Sequence, residues 1–106
     1  MLKITPRPRF THKVTAQVPV DGGFVREEFR ATFQLAANAE ADLASDAMKE
    51  AFLRDIVVEL HDLTDEGGAE VPWSDAARDA AFALPWVRLA LLKAYFEAIV
   101  GVRAGN

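Results

Sequence analysis

A chain of 106 residues with 51% apolar and 26% charged residues fits one ordinary globular domain with a modest core. It has no cysteine, which excludes disulfides, thiolate metal sites and thiol nucleophiles. The net charge of −4 is uneven. Residues 1–14 carry four bases and no acid, whereas residues 36–75 carry eleven acids against two bases. The basic arm alone would suit nucleic acid, but the acidic middle repels phosphates and no aromatics interleave with the bases. We therefore expect no nucleic-acid partner.

Met1-Leu2-Lys3-Ile4 lacks the apolar run of a signal peptide. No apolar run of about 18 residues occurs, so no membrane span is expected.

Residues 1–9 read as an arm, in which Pro6 and Pro8 hold Arg7 extended. From Phe10 to Val20 the chain alternates. Phe10, His12, Val14, Ala16, Val18 and Val20 fall on one face, with Thr11, Lys13, Thr15 and Gln17 on the other. Asp21-Gly22-Gly23 marks a turn, after which Val25, Phe29, Ala31, Phe33 and Leu35 line one face of a second strand. Residues 10–35 are thus a β-hairpin with one apolar face. It is marginal alone and needs a covering layer.

The period changes at Ala36. Asn38 suits the cap of a short helix near 39–44, and Ser45 the cap of a longer one from Asp46 to Leu63. Met48, Phe52, Ile56, Leu60 and Leu63 recur at helical spacing, a stripe that serves as core or as a groove. Asp62 to Pro72 is a polar connection turning at Gly67-Gly68, and Val71-Pro72-Trp73 is extended. Ser74 caps an Ala-rich helix over about 75–83.

The last helix starts at Pro85, a residue suited to the first helical position. From Pro85 to Val100, 12 of 16 residues are apolar, and only Pro85, Arg88, Lys93 and Glu97 interrupt. Gly101 suits a left-handed C-terminal cap. A helix with so narrow a polar face is buried on more than one side. So small a chain has little protein to cover it, which implies a partner or a second copy.

The residues that could carry chemistry are few. His12 lies on an apolar strand face, where a packed or edge residue is more usual than a ligand. His61, Asp62, Asp65 and Glu66 form a local cluster, but with Glu70 they miss the calcium-loop spacing and read as a solvated acidic loop. No G-x-S-x-G and no phosphate-cradling glycine loop occurs. The expectation is a non-enzymatic protein with no cofactor and no metal.

The order of motifs is Phe10…Val18-Pro19-x-Asp21-Gly22, then strand aromatics Phe29 and Phe33, then Phe52-Leu53-x-x-Ile56-Val57-Val58. An acidic glycine loop and Val71-Pro72-Trp73-Ser74 follow. The C-terminal part runs Leu84-Pro85-x-Val87-x-x-Ala90, Ala94-Tyr95-x-Glu97-Ala98 and Gly101-x-Arg103-x-x-Asn106. Over about residues 8–106 this resembles the tail assembly chaperones of long-tailed bacteriophages and prophages.

The resemblance implies a binding protein that keeps the apolar, helical tape-measure protein soluble while the tail tube assembles. It implies self-association and, through a frameshifted longer product, contact with the tail-tube protein. It also implies residence in the bacterial cytoplasm and absence from the finished virion. A tail-completion or head–tail joining protein that stays in the particle is the alternative.

The expected fold is α+β, one domain over residues 1–106: an arm at 1–9, a β-hairpin at 10–35 packed against a small bundle of three to four α-helices at 36–106. The candidate protein-binding residues, for client or second copy, are Trp73, Trp86, Leu89, Tyr95 and Phe96.

Overall fold

The computed structural model describes residues 1–4, 6–37 and 43–104, with side chains to Val100. The fold is α+β, in the order β1 (Arg9–Val20), β2 (Gly23–Gln34), α1 (Asp46–Ile56), β3 (Val57–His61), α2 (Asp75–Phe82) and α3 (Pro85–Ala104).

The hairpin forms in the expected register. Phe10 lies opposite Phe33, Val14 opposite Phe29 and Val18 opposite Val25. Gly22 turns the chain at φ 81°, a backbone region costly for a residue with a Cβ. Each strand has 12 residues, so the hairpin is about 40 Å long at 3.4 Å per residue. It nearly spans the molecule's longest dimension of 48 Å. The helices cover only part of it. Val14, Ala16, Phe29, Ala31 and Phe33 are buried, whereas Val20, Phe24 and Val25 near the turn are exposed. β1 is one edge of the sheet, and Pro19 is tolerated there because an edge strand does not need every N–H.

The stretch from Asp46 to Leu63 is not one helix. α1 stops at Ile56, and Val57–His61 pairs antiparallel with β2 as a third strand, giving the order β1-β2-β3. Two causes act together. Val57-Val58 is a β-branched pair that favours extended backbone, and Val57 takes φ −90° and ψ 115°. The register also shifts, with Thr32 opposite Glu59 but Phe33 opposite Val57. The bulge leaves Val58 unmatched, so Val57 and Leu60 both point to the core. Inward residues three apart imitate a helix, which is why the period misleads there.

Ser45 and Ser74 cap as expected. The Met48 and Ala77 backbone N–H groups donate to their hydroxyls, each at 3.1 Å. The expected helix near 39–44 falls mostly outside the described residues, and Leu43 and Ala44 at its end are not helical. Arg54 ties α1 to α2, reaching Asp79 at 3.0 Å with its guanidinium 5.9 Å from the Phe82 ring centre. Gly101 does not end α3. The helix continues to Ala104, and the described glycines with positive φ are Gly22 and Gly68. Inside a helix Gly costs only about 1 kcal/mol relative to Ala, too little to force a helix end.

The core lies between the sheet and the helices. Phe33, Phe82, Leu53, Ile56, Leu91 and Val14 are its largest fully buried side chains. Among the described residues, no buried side-chain nitrogen or oxygen lacks a hydrogen-bond partner.

Candidate protein-binding surface

α3 packs chiefly along β1. Its inner face carries Ala90, Leu91, Ala94 and Tyr95, all buried. Two alanines one turn apart let the helix approach the strand closely, and Leu91 and Tyr95 fill the spaces beside them. Tyr95 is only 3% exposed and gathers aromatic rings around it. Phe10, Phe33, Phe52 and Phe96 have centroids 6.2, 5.7, 5.6 and 5.3 Å from its own. Its hydroxyl accepts a hydrogen bond from the Ala36 N–H at 3.0 Å. The phenol is therefore a positioning group that fixes the chain leaving β2.

The outer face of α3 is apolar too. Leu89 is 70% exposed, and Phe96, Ile99 and Val100 are each about 40% exposed. Beside them Lys93 reaches Glu97 at 3.9 Å, one turn along. Phe96 stacks on Phe52 of α1, with centroids 5.9 Å apart and planes at 13°. That stack forms one side of a groove of about 270 Å³, lined by Leu35, Ala36, Leu43, Phe52, Tyr95, Phe96 and Ile99. Met48, one turn before Phe52 on α1, is also exposed.

The far wall of the groove is held from behind by Asp55. Its carboxylate accepts from Arg7 Nη2 at 2.8 Å and from the Ala37 N–H at 2.9 Å. Arg7 Nε donates to the Leu35 carbonyl at 2.9 Å, and Gln34 Nε2 to the Asp55 carbonyl at 2.9 Å. The end of the basic arm thus serves as a clasp. A groove with fixed walls loses little entropy when an apolar side chain enters it.

The five candidate residues separate into three kinds. Leu89 and Phe96 lie on the open face of α3. Tyr95 is wall and core at once, because the inner turn of α3 directs it between the sheet and α1. Trp73 and Trp86 are half-buried against the core. Met48, part of the stripe read as core or groove, belongs to the surface, and so do Ile99, Val100 and Leu43, which sequence reasoning did not single out. In a helix apolar all round, periodicity cannot tell the inner apolar residues from the outer.

The cluster His61, Asp62, Asp65 and Glu66 is dispersed among other tasks. His61 Nε2 and Thr32 Oγ1 share a 2.8 Å hydrogen bond, and Thr32 in turn bonds Thr11 at 2.9 Å. Asp62 makes two hydrogen bonds with Arg30, at 2.8 and 3.1 Å. This pairing lowers the Asp62 pKa below the usual carboxylate value, and hydrogen bonding and charge raise that of Arg30. Asp65 accepts from the Gly67 and Ala69 N–H groups, each at 2.9 Å, and so closes its own loop. Among the described residues, no three His, Asp or Glu side chains converge as metal ligands. His12 is exposed on the edge strand β1. Lys13 in β1 pairs with Glu28 at 2.7 Å, so it and the clasped Arg7 are both partnered by acids. No described helix is long and apolar enough to cross a membrane.

No known family profile, curated protein or solved structure matches the chain.

Proposed function

We propose that this protein is a non-catalytic binding protein, specifically a phage or prophage tail assembly chaperone that holds the tape-measure protein soluble while the tail tube forms. One observation carries the reading. An apolar stripe on α3 adjoins a groove with fixed walls, and its large residues stay open to water. Contiguous exposed apolar surface on a small protein marks a place where another chain binds. An amphipathic client helix fits it by laying one large apolar side chain in the groove and the next turns along Leu89, Phe96 and Val100. The net charge of −4 keeps such a complex dispersed. Occupancy alone protects the client, so no catalytic constellation is needed.

The resemblance over about residues 8–106 is what supports the tape-measure protein as the client. The tail-tube protein enters as a second partner through a longer frameshifted product, and self-association accompanies both. The site of action is the host cytoplasm, with the protein absent from the finished virion.

Co-expression with the tape-measure protein of the same phage or prophage tests the reading. The tape-measure protein should remain soluble and be recovered on the tagged chaperone. Leu89→Glu should reduce recovery while leaving the chaperone folded. An insoluble tape-measure protein with no recoverable complex would sink the proposal. Finding the chain in purified virions would favour the tail-completion alternative.

A further inference from the structure

From Leu89 to Val100 the outer face of α3 reads nearly the same in both directions, and this selects one occupant for it at rest. We propose that a second copy of this chain covers the stripe, the two α3 helices lying antiparallel about a two-fold axis level with Tyr95.

The geometry follows from a rise of about 1.5 Å and a turn of about 100° per residue. Leu89, Phe96 and Val100 fall within an arc of about 40° on the exposed side, and Lys93 and Glu97 lie together on one flank. In a two-fold antiparallel pair, a flank meets the same flank of the other copy. With the axis at the height of residue 95, Lys93 of one copy stands level with Glu97 of the other, and the converse pair forms as well. Leu89 comes within about 1.5 Å of the height of Val100 of the second copy, and the two Phe96 rings flank the axis about 3 Å apart in height. Apolar side chains thus meet apolar ones, and the charges meet their opposites twice. The Lys93–Glu97 ion pair within each copy is long at 3.9 Å and surface-exposed, so little is lost when each partner is shared across the axis. Such a face is self-complementary, as a two-fold interface must be.

The rival surface is the open edge of β1. It is poorly suited to self-pairing. Pro19 lacks an N–H, and the exposed Arg9 and Lys13 bring like charges into an antiparallel pair. The α3 pairing uses part of the surface assigned above to a client, but it does not depend on that client being correct.

Charge exchange tests the pairing directly, using the full chain and sedimentation equilibrium over a wide concentration range. Wild type should show a monomer–dimer equilibrium. K93E and E97K should each raise the dimer dissociation constant roughly tenfold, since each places like charges opposite one another twice. An equimolar mixture of K93E and E97K should form heterodimers at least as tightly as wild type forms homodimers. The ion pair within one copy cannot produce that rescue, because it is lost in both variants. Leu89→Glu, at the most exposed position, should abolish the dimer while circular dichroism stays unchanged. A wild-type monomer at every concentration overturns the pairing. So does a mixture that fails to form heterodimers, or a dimer indifferent to Leu89→Glu. None of these experiments involves a client, so failure to bind the tape-measure protein would leave the result standing, and loss of the dimer would leave client binding open.

Discussion

The two faces of α3 are almost equally apolar and do different things. Inward lie Ala90, Leu91, Ala94 and Tyr95, held against β1, Phe33 and Phe52. Outward lie Leu89, Phe96, Ile99 and Val100, still exposed to water. The inner face alternates small with large residues because it must fit a fixed partner. From Leu89 to Val100 the outer face carries large apolar residues beside one ion pair. Residue size, more than hydrophobicity, separates a surface already matched to its neighbour from one whose partner is another chain.

Substitution on the inner face should produce the largest effects. Leu91 is fully buried, so Leu91→Ala should cost about 2–5 kcal/mol through lost transfer energy and a residual cavity. Ala94→Leu should cost about 1–3 kcal/mol by forcing the helix off β1. On the outer face, Leu89→Ala should change stability by no more than about 0.5 kcal/mol. Urea denaturation of the three variants, at a concentration low enough that the chain is monomeric, checks the contrast. An equal loss at Leu89 and Leu91 would mean that the outer face is already packed within the monomer.

That contrast also marks what the sequence could and could not reveal. The hairpin was plain because Val14, Ala16, Phe29, Ala31 and Phe33 alternate and a glycine turn divides them. The caps at Ser45 and Ser74 were plain because their hydroxyls act locally. β3 was hidden because its bulge brings Val57 and Leu60 inward three residues apart, a spacing that belongs equally to helices. Gly101 was misjudged because a glycine permits a helix end without forcing one. At the surface, the excess of apolar residues on α3 was evident, but not which side was in excess. Tyr95 and Phe96 are neighbours in sequence and lie about 100° apart on the helix, one in the core and one at the mouth of the groove. The clasp of Arg7 on Asp55 joins residues 48 positions apart, and no local pattern announces it.

Between the two faces stands Tyr95, whose ring belongs to the core and whose hydroxyl holds the groove wall. Tyr95→Phe keeps the ring and leaves the Ala36 N–H without its partner. A loss of about 1 kcal/mol is expected, the usual net value of one hydrogen bond. The more informative readout is amide exchange at Ala36 and Ala37, which should accelerate beyond the global change as the wall loosens. If exchange there simply followed global stability, the hydroxyl would not be what fixes the wall.

The smallest effect should come from the outer face of the sheet, where exposure is met with charge instead of apolar surface. Asp62 is hydrogen-bonded there by Arg30, and away from the sheet Asp79 on α2 by Arg54 and then Arg78; both have pKa values lowered by those partners. A carboxylate whose pKa is lower folded than unfolded stabilises the fold above its unfolded pKa, near 4. That contribution is lost as pH falls from there through the depressed folded value. Thermal midpoints should therefore decline below about pH 4. Asp62 also sits at φ 64°, so asparagine, which tolerates that backbone, is the suitable probe. Asp62→Asn should lower the midpoint slightly at neutral pH and converge on wild type in acid, because protonation has by then removed the same ion pair. Curves that run parallel at every pH would show that the Arg30–Asp62 pair adds no pH-dependent stability. The outer sheet face would then be held by its backbone ladder, the Thr11–Thr32–His61 hydrogen bonds and the Lys13–Glu28 pair.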